Sequence, residues 1–171
     1  NDIDSIFALA ELYYKKGELV EAESLFRRII RMTPGDSYSE TAYVNLGIIL
    51  DEMERYSEAI QSFEGAIALG PKNLSARYNL GIAYLHAGMP TKAIESLRKA
   101  SVIDPNHIPS RLAIADYYLE NKYYLFLILF VIVPLCGVNN PKISLSSVDF
   151  PPPFGPIIAK KSSFFIFKFI F

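Results

Sequence analysis

LAELYYKKGELVEAESLFRRIIRMTP (Leu9–Pro34), LGIILDEMERYSEAIQSFEGAIALGP (Leu46–Pro71) and LGIAYLHAGMPTKAIESLRKASVIDP (Leu80–Pro105) are three versions of one pattern. Each opens with Leu and a tiny residue, Ala10, Gly47 or Gly81. An apolar or aromatic residue follows three places on: Tyr13, Leu50, Tyr84. Then come Ala22, Ala59 and Ala93, followed by Phe26, Phe63 and Leu97, and Pro34, Pro71 and Pro105 close the units. The closing prolines lie 37 and then 34 residues apart, so three extra residues fit near Asp36–Ser39, in the loop. A fixed period of this length marks a repeat architecture.

Within a unit, apolar residues recur at three- and four-residue spacing, which places them on one stripe of a helix. Gly17 and Gly88 fall at the middle of their units, where a left-handed turn between two helices costs glycine little. The second unit carries Arg55-Tyr56 there, which predicts a looser turn. The tiny residues let two helix axes approach closely, and a larger side chain would overpack the crossing. Proline ends the second helix because it lacks an amide hydrogen and clashes with the preceding turn. A lone helix pair cannot bury its whole stripe, so neighbouring pairs must stack.

The recurring Leu-small, aromatic, Ala, Phe and Pro, with the phrase Tyr78-Asn79-Leu80-Gly81 and the ending Asp104-Pro105-Asn106, resembles the tetratricopeptide repeat family. The resemblance covers residues 3–122 and implies an all-α helix-turn-helix solenoid of about three and a half repeats: 3–36, 40–73, 74–107 and a partial 108–122. The large aromatic that often opens such repeats is replaced by Ile6, Tyr43 and Arg77. In the partial unit Ile114-Ala115 stands for Leu-Gly and Tyr118 follows.

Beyond Lys122 the composition changes. Residues 1–122 hold 13 Lys/Arg and 17 Asp/Glu, a net −4, whereas the last 49 hold four Lys and one Asp, a net +3, with nine of the twelve Phe. Residues 123–138 are apolar on every face, unlike a capping helix, which keeps a polar outer side. Three readings stay open: a membrane segment, about 24 Å long as helix where roughly 20 residues are needed; a closing helix with a sticky outer side; and a stretch translated from a wrong frame or an intron. Residues 139–171 read as an irregular tail, with Pro151-Pro152-Pro153 favouring an extended linker. Asn1 is not an initiator Met, and the chain reads as a fragment or a gene model.

The chemistry-bearing signals are few. Net charge over the whole chain is −1, without the basic excess of a nucleic-acid binder. The lone Cys136 excludes an internal disulfide and a cysteine-built zinc site, and His86 and His107 offer little for a metal. No Gly-x-Ser-x-Gly, Gly-x-Gly-x-x-Gly or phosphate-loop motif is present. The expectation is therefore no enzyme, no cofactor and no metal, but a module that binds a protein or peptide partner in the cytoplasm. The alternative is a membrane-tethered assembly factor anchored through residues 123–138.

By the resemblance, the partner lies along the first helices of the units. That face would comprise Phe7, Glu11, Tyr14 and Lys15; Val44, Asn45, Ile48 and Asp51; Tyr78, Asn79, Ile82 and His86; and Leu112 and Asp116. Asn45 and Asn79 are 34 residues apart, in phase, and a side-chain amide offers a peptide backbone both donor and acceptor. Co-chaperone members of the family grip an acidic peptide terminus with a clamp of Lys, Arg and Asn. Asn45 fits that clamp, but Phe7, Glu11, Ser75 and Asn79 stand where it needs Lys, Asn, Lys and Arg. Binding to the acidic tails of chaperones is therefore expected to be absent. The acidic, apolar face calls instead for a peptide with apolar anchors and basic character.

Overall fold

The computed structural model describes residues 2–121; the expected apolar segment at 123–138 and the tail at 139–171 lie outside the described residues. Seven helices are described: α1 (Ile3–Lys15), α2 (Leu19–Met32), α3 (Ser37–Glu52), α4 (Tyr56–Leu69), α5 (Leu74–His86), α6 (Pro90–Ile103) and α7 (Ile108–Glu120). No strand occurs among the described residues. The chain divides into two compact units, Asn1–Ala113 and Ile114–Phe171.

In the first unit, consecutive helices pack as pairs, α1 on α2, α3 on α4 and α5 on α6, and each pair stacks on the next through α2–α3 and α4–α5. The tiny residues sit where the helices of a pair cross. A Cβ added to Gly47 would lie 2.5 Å from the Phe63 ring, and one added to Gly81 would lie 2.6 Å from Leu97 Cγ. Phe26, Phe63 and Leu97 are fully buried, together with Ala22, Ala59 and Ala93. Each of these pairs thus closes around the residues that the pattern singles out. The three prolines each follow a helix end by two residues, behind Met32, Leu69 and Ile103.

Two expectations need correction. The three extra residues of the second unit do not lengthen a loop. The connections 33–36, 70–73 and 104–107 are equal in length, whereas α3 has 16 residues and α1 and α5 have 13. Ser37–Ser39 join the helix because Asp36 caps it, its carboxylate accepting from the Ser39 amide at 3.0 Å. Three residues add about 4.5 Å of helix, nearly one turn.

Nor is the mid-unit turn of the second repeat looser. Glu54 adopts φ 59°, beside 78° for Gly17 and 70° for Gly88. The closing bonds match as well: Arg55 N to Leu50 O at 2.8 Å, Glu18 N to Tyr13 O at 2.9 Å, Met89 N to Tyr84 O at 2.8 Å. The left-handed position falls on Glu54, one residue before Arg55-Tyr56, and the packing of α3 on α4 holds it there despite its Cβ.

Within the second unit, Ile114, Ala115 and Tyr118 are buried, at the positions where the pattern continues. The Tyr117 and Tyr118 rings meet edge to face at 5.6 Å.

Candidate functional site: the first-helix face

Helices α1, α3 and α5 carry the residues in which a partner site is expected, and their surroundings separate into three groups. Val44 belongs to the core: it is only 8% exposed. The reason is that α3 is interior to the stack and packs against α2, α4 and α5, so more of its circumference is covered than the resemblance suggests. Phe7, Ile48, Tyr78 and Ile82 are half-buried. Phe7 is held edge-on against Phe26, centroids 5.4 Å apart, and Tyr78 edge-on against His107 at 5.3 Å. Each presents part of an apolar surface braced by one ring contact.

A second group is tied across neighbouring units. The Tyr14 hydroxyl donates to Glu52, and the Tyr38 hydroxyl donates to Asp4 at 2.8 Å. The bond to Glu52, with burial and the nearby charge, raises the Tyr14 pKa to about 12. Tyr38 is likewise raised, first by its bond to Asp4. His86 Nδ1 lies 2.9 Å from one Asp51 oxygen and 3.1 Å from the other. A carboxylate only accepts, so Nδ1 carries the proton and Nε2 is the atom left for other contacts. The sequence places no acid one turn from His86; its partner comes instead from α3.

The third group makes no side-chain hydrogen bond to another helix among the described residues. Glu11 is exposed and Asn45 half-buried, and neither side chain forms a hydrogen bond within the described residues. Asn79 shares the register of Asn45, but its amide donates to Ser75 Oγ at 3.2 Å on its own helix. Lys15 and Leu112 are exposed, as is Asp116, which falls in the second unit.

Sequence reading passes over a ring of charges on α2, the first turn of α4 and the residue that precedes it. Arg27 donates to Glu23 at 2.8 Å and Glu58 at 3.0 Å, and Arg55 donates to Glu58 and Glu23, each at 2.7 Å. Burial pushes the Glu23 carboxyl up, but the bonds and charges of Arg27 and Arg55 outweigh it and hold the group below the usual range. Arg55 holds Glu58 down in the same way, and both acids push Arg55 up. Among the described residues there is no group of three His, Cys, Asp or Glu able to hold a metal, and no helix long and apolar enough to cross a membrane.

Two family profiles, both described as tetratricopeptide repeat, match residues 2–72 and 44–108. Residues 2–108 belong to the tetratricopeptide repeat family. Over 102 residues the chain is 34% identical to a peroxisomal targeting signal receptor of Kluyveromyces lactis, covering 59% of this chain and 18% of the receptor. Superkiller protein 3 of Schizosaccharomyces pombe is 24% identical over 129 residues, 73% of this chain and 8% of that protein. The chain therefore spans less than a fifth of either relative. Among solved structures, MamA superposes with a TM-score of 0.71 at 24% identity, covering 79% of this chain and 77% of MamA. YrrB, a tetratricopeptide repeat protein with an unusual peptide-binding site, superposes at 0.61 with 25% identity, covering 66% of this chain and 57% of YrrB.

Proposed function

We propose that these repeats form a non-catalytic interaction module that holds a peptide or protein partner along the face of α1, α3 and α5. One observation carries the reading: on this face half-buried apolar side chains (Phe7, Ile48, Tyr78, Ile82) alternate with exposed or unengaged polar ones (Glu11, Asn45). Fixed apolar patches beside open hydrogen-bonding groups suit an extended chain, whose backbone needs donors and acceptors and whose side chains need shallow pockets. Asn45 and Asn79 are the intended backbone contacts. Asn79 exchanges its weak internal bond to Ser75 for one to the ligand.

The similarity to YrrB and to a targeting-signal receptor supports a peptide as the ligand. The acids Glu11 and Asp51 favour a ligand with apolar anchors and positive charge. Phe7 and Glu11 stand where a clamp for acidic termini needs Lys and Asn, which disfavours acidic peptides. The test is a peptide array probed with the full chain and with Asn45→Ala/Asn79→Ala. The expected result is capture of basic-apolar peptides that the double variant loses. Capture of acidic peptides alone, or capture indifferent to both substitutions, overturns the reading.

A further inference from the structure

We propose that the depression between α1 and the first turn of α3 receives a lysine or arginine side chain of the partner; this rests on the reading of the first-helix face as a peptide groove. The depression, of about 360 Å³, is lined from α1 by Asp4, Phe7, Ala8 and Glu11 and from α3 by Tyr38 and Thr41. The α1 residues stand at positions i, i+3, i+4 and i+7, one continuous stripe. The α3 wall includes the added turn: Ser37 and Tyr38 lie within the extra residues that make this helix longer than α1 and α5. The subsite is thus particular to the joint between the first two units, because α5, with 13 residues against the 16 of α3, has no such extension.

Its chemistry points to one kind of occupant. Two carboxylates and no cation line it. Tyr38 already bonds to Asp4, which fixes that wall, while Glu11 has no partner among the described residues. Between the acids lie the Phe7 ring, braced against Phe26, and the Ala8 methyl. A long aliphatic stem covers the apolar middle, and its cationic head reaches Glu11, the division of labour that lysine and arginine side chains provide. An acidic side chain would meet two carboxylates, and a purely apolar one would gain nothing from Glu11.

The experiment titrates the full-length, isotope-labelled chain with Nα-acetyl-arginine amide and with its neutral isostere Nα-acetyl-citrulline amide, following amide shifts. The expected result is saturable shifts confined to residues 4–11 and 37–41, with the citrulline compound weaker by about three- to fivefold, the worth of an exposed charge pair. Glu11→Gln, an exposed substitution that leaves the spectrum folded, should reduce arginine affinity to the citrulline level. Absence of shifts there, equal affinity for the two compounds, or indifference to Glu11→Gln overturns the proposal. Arginine binding here while peptide capture ignores Asn45 and Asn79 would leave the subsite standing and the groove reading fallen; the converse would leave the groove without this subsite.

Discussion

Replacing Gly47 with alanine tests the geometry on which the repeat stack depends. The new methyl carbon would lie 2.5, 2.7 and 2.8 Å from three carbons of the Phe63 ring, where ordinary contact begins near 3.4 Å. Phe63 is fully buried, so α3 and α4 must part by most of an ångström, or the ring must leave its rotamer. Overpacking of this kind costs about 1–3 kcal/mol. Alanine recovers about 1 kcal/mol over glycine in a helix interior. The net expectation is a loss of up to about 2 kcal/mol, read as a lower urea midpoint by far-UV circular dichroism with an unchanged slope. Gly65→Ala is the matched control. Its Cβ would sit 3.1 Å from the half-buried Tyr43 ring, which can yield a few tenths of an ångström. That variant should be neutral or more stable by up to about 1 kcal/mol. A Gly47→Ala variant as stable as Gly65→Ala, or more stable than the parent, would refute the claim that the tiny residue sets the crossing.

Glu54→Gly should stabilise the chain by about 0.5–1 kcal/mol, because a non-glycine residue strained at φ 59° gives way to one that adopts it freely; an equilibrium unfolding curve no better than the parent's would count against strain at this turn. The acids of the charge ring have folded-state pKa values below their ordinary 4.5, so the stability they contribute is complete above that value and is lost as pH falls through the lower one. Glu23→Gln should therefore lower the urea midpoint near neutrality and flatten its decline in acid, and a parallel curve for parent and variant would contradict the ring. Glu52→Gln should return Tyr14 from about 12 towards 10, seen as an earlier step in an ultraviolet tyrosine titration; an unmoved profile would place the shift elsewhere.

The stack was legible because its determinants are local and periodic. Gly47 and Phe63, or Gly81 and Leu97, can be paired from spacing alone, and the prolines mark the ends. The extra turn of α3 was harder to see: three residues can lengthen a loop or a helix equally well, and the Asp36 cap decides it. Likewise, a left-handed turn is legible at Gly17 and Gly88 but hidden at Glu54, where tertiary packing overrides residue preference. Val44 looked like a surface residue because a single helix cannot reveal how many neighbours cover it.

The polar ties across units escaped for a different reason, although a signal exists. Their sequence separations cluster around the repeat length: 31 for Arg27–Glu58, 32 for Glu23–Arg55, 33 for Glu40–Asn73, 34 for Asp4–Tyr38, 35 for Asp51–His86 and 38 for Tyr14–Glu52. In a stacked array, residues one period apart become neighbours, so complementary polar pairs at that offset are candidates for contact. Searching for acids one turn from His86 misses the one supplied by the adjacent unit.

The most direct test of the binding account is amide hydrogen exchange on the full chain, with and without a basic-apolar peptide captured on the array. The account predicts new protection on α1, α3 and α5, centred on Phe7–Glu11, Asn45–Ile48 and Tyr78–Ile82, with α2, α4 and α6 unchanged. Protection concentrated instead on the second helices, around Arg27, Arg55 and Glu58, would contradict it.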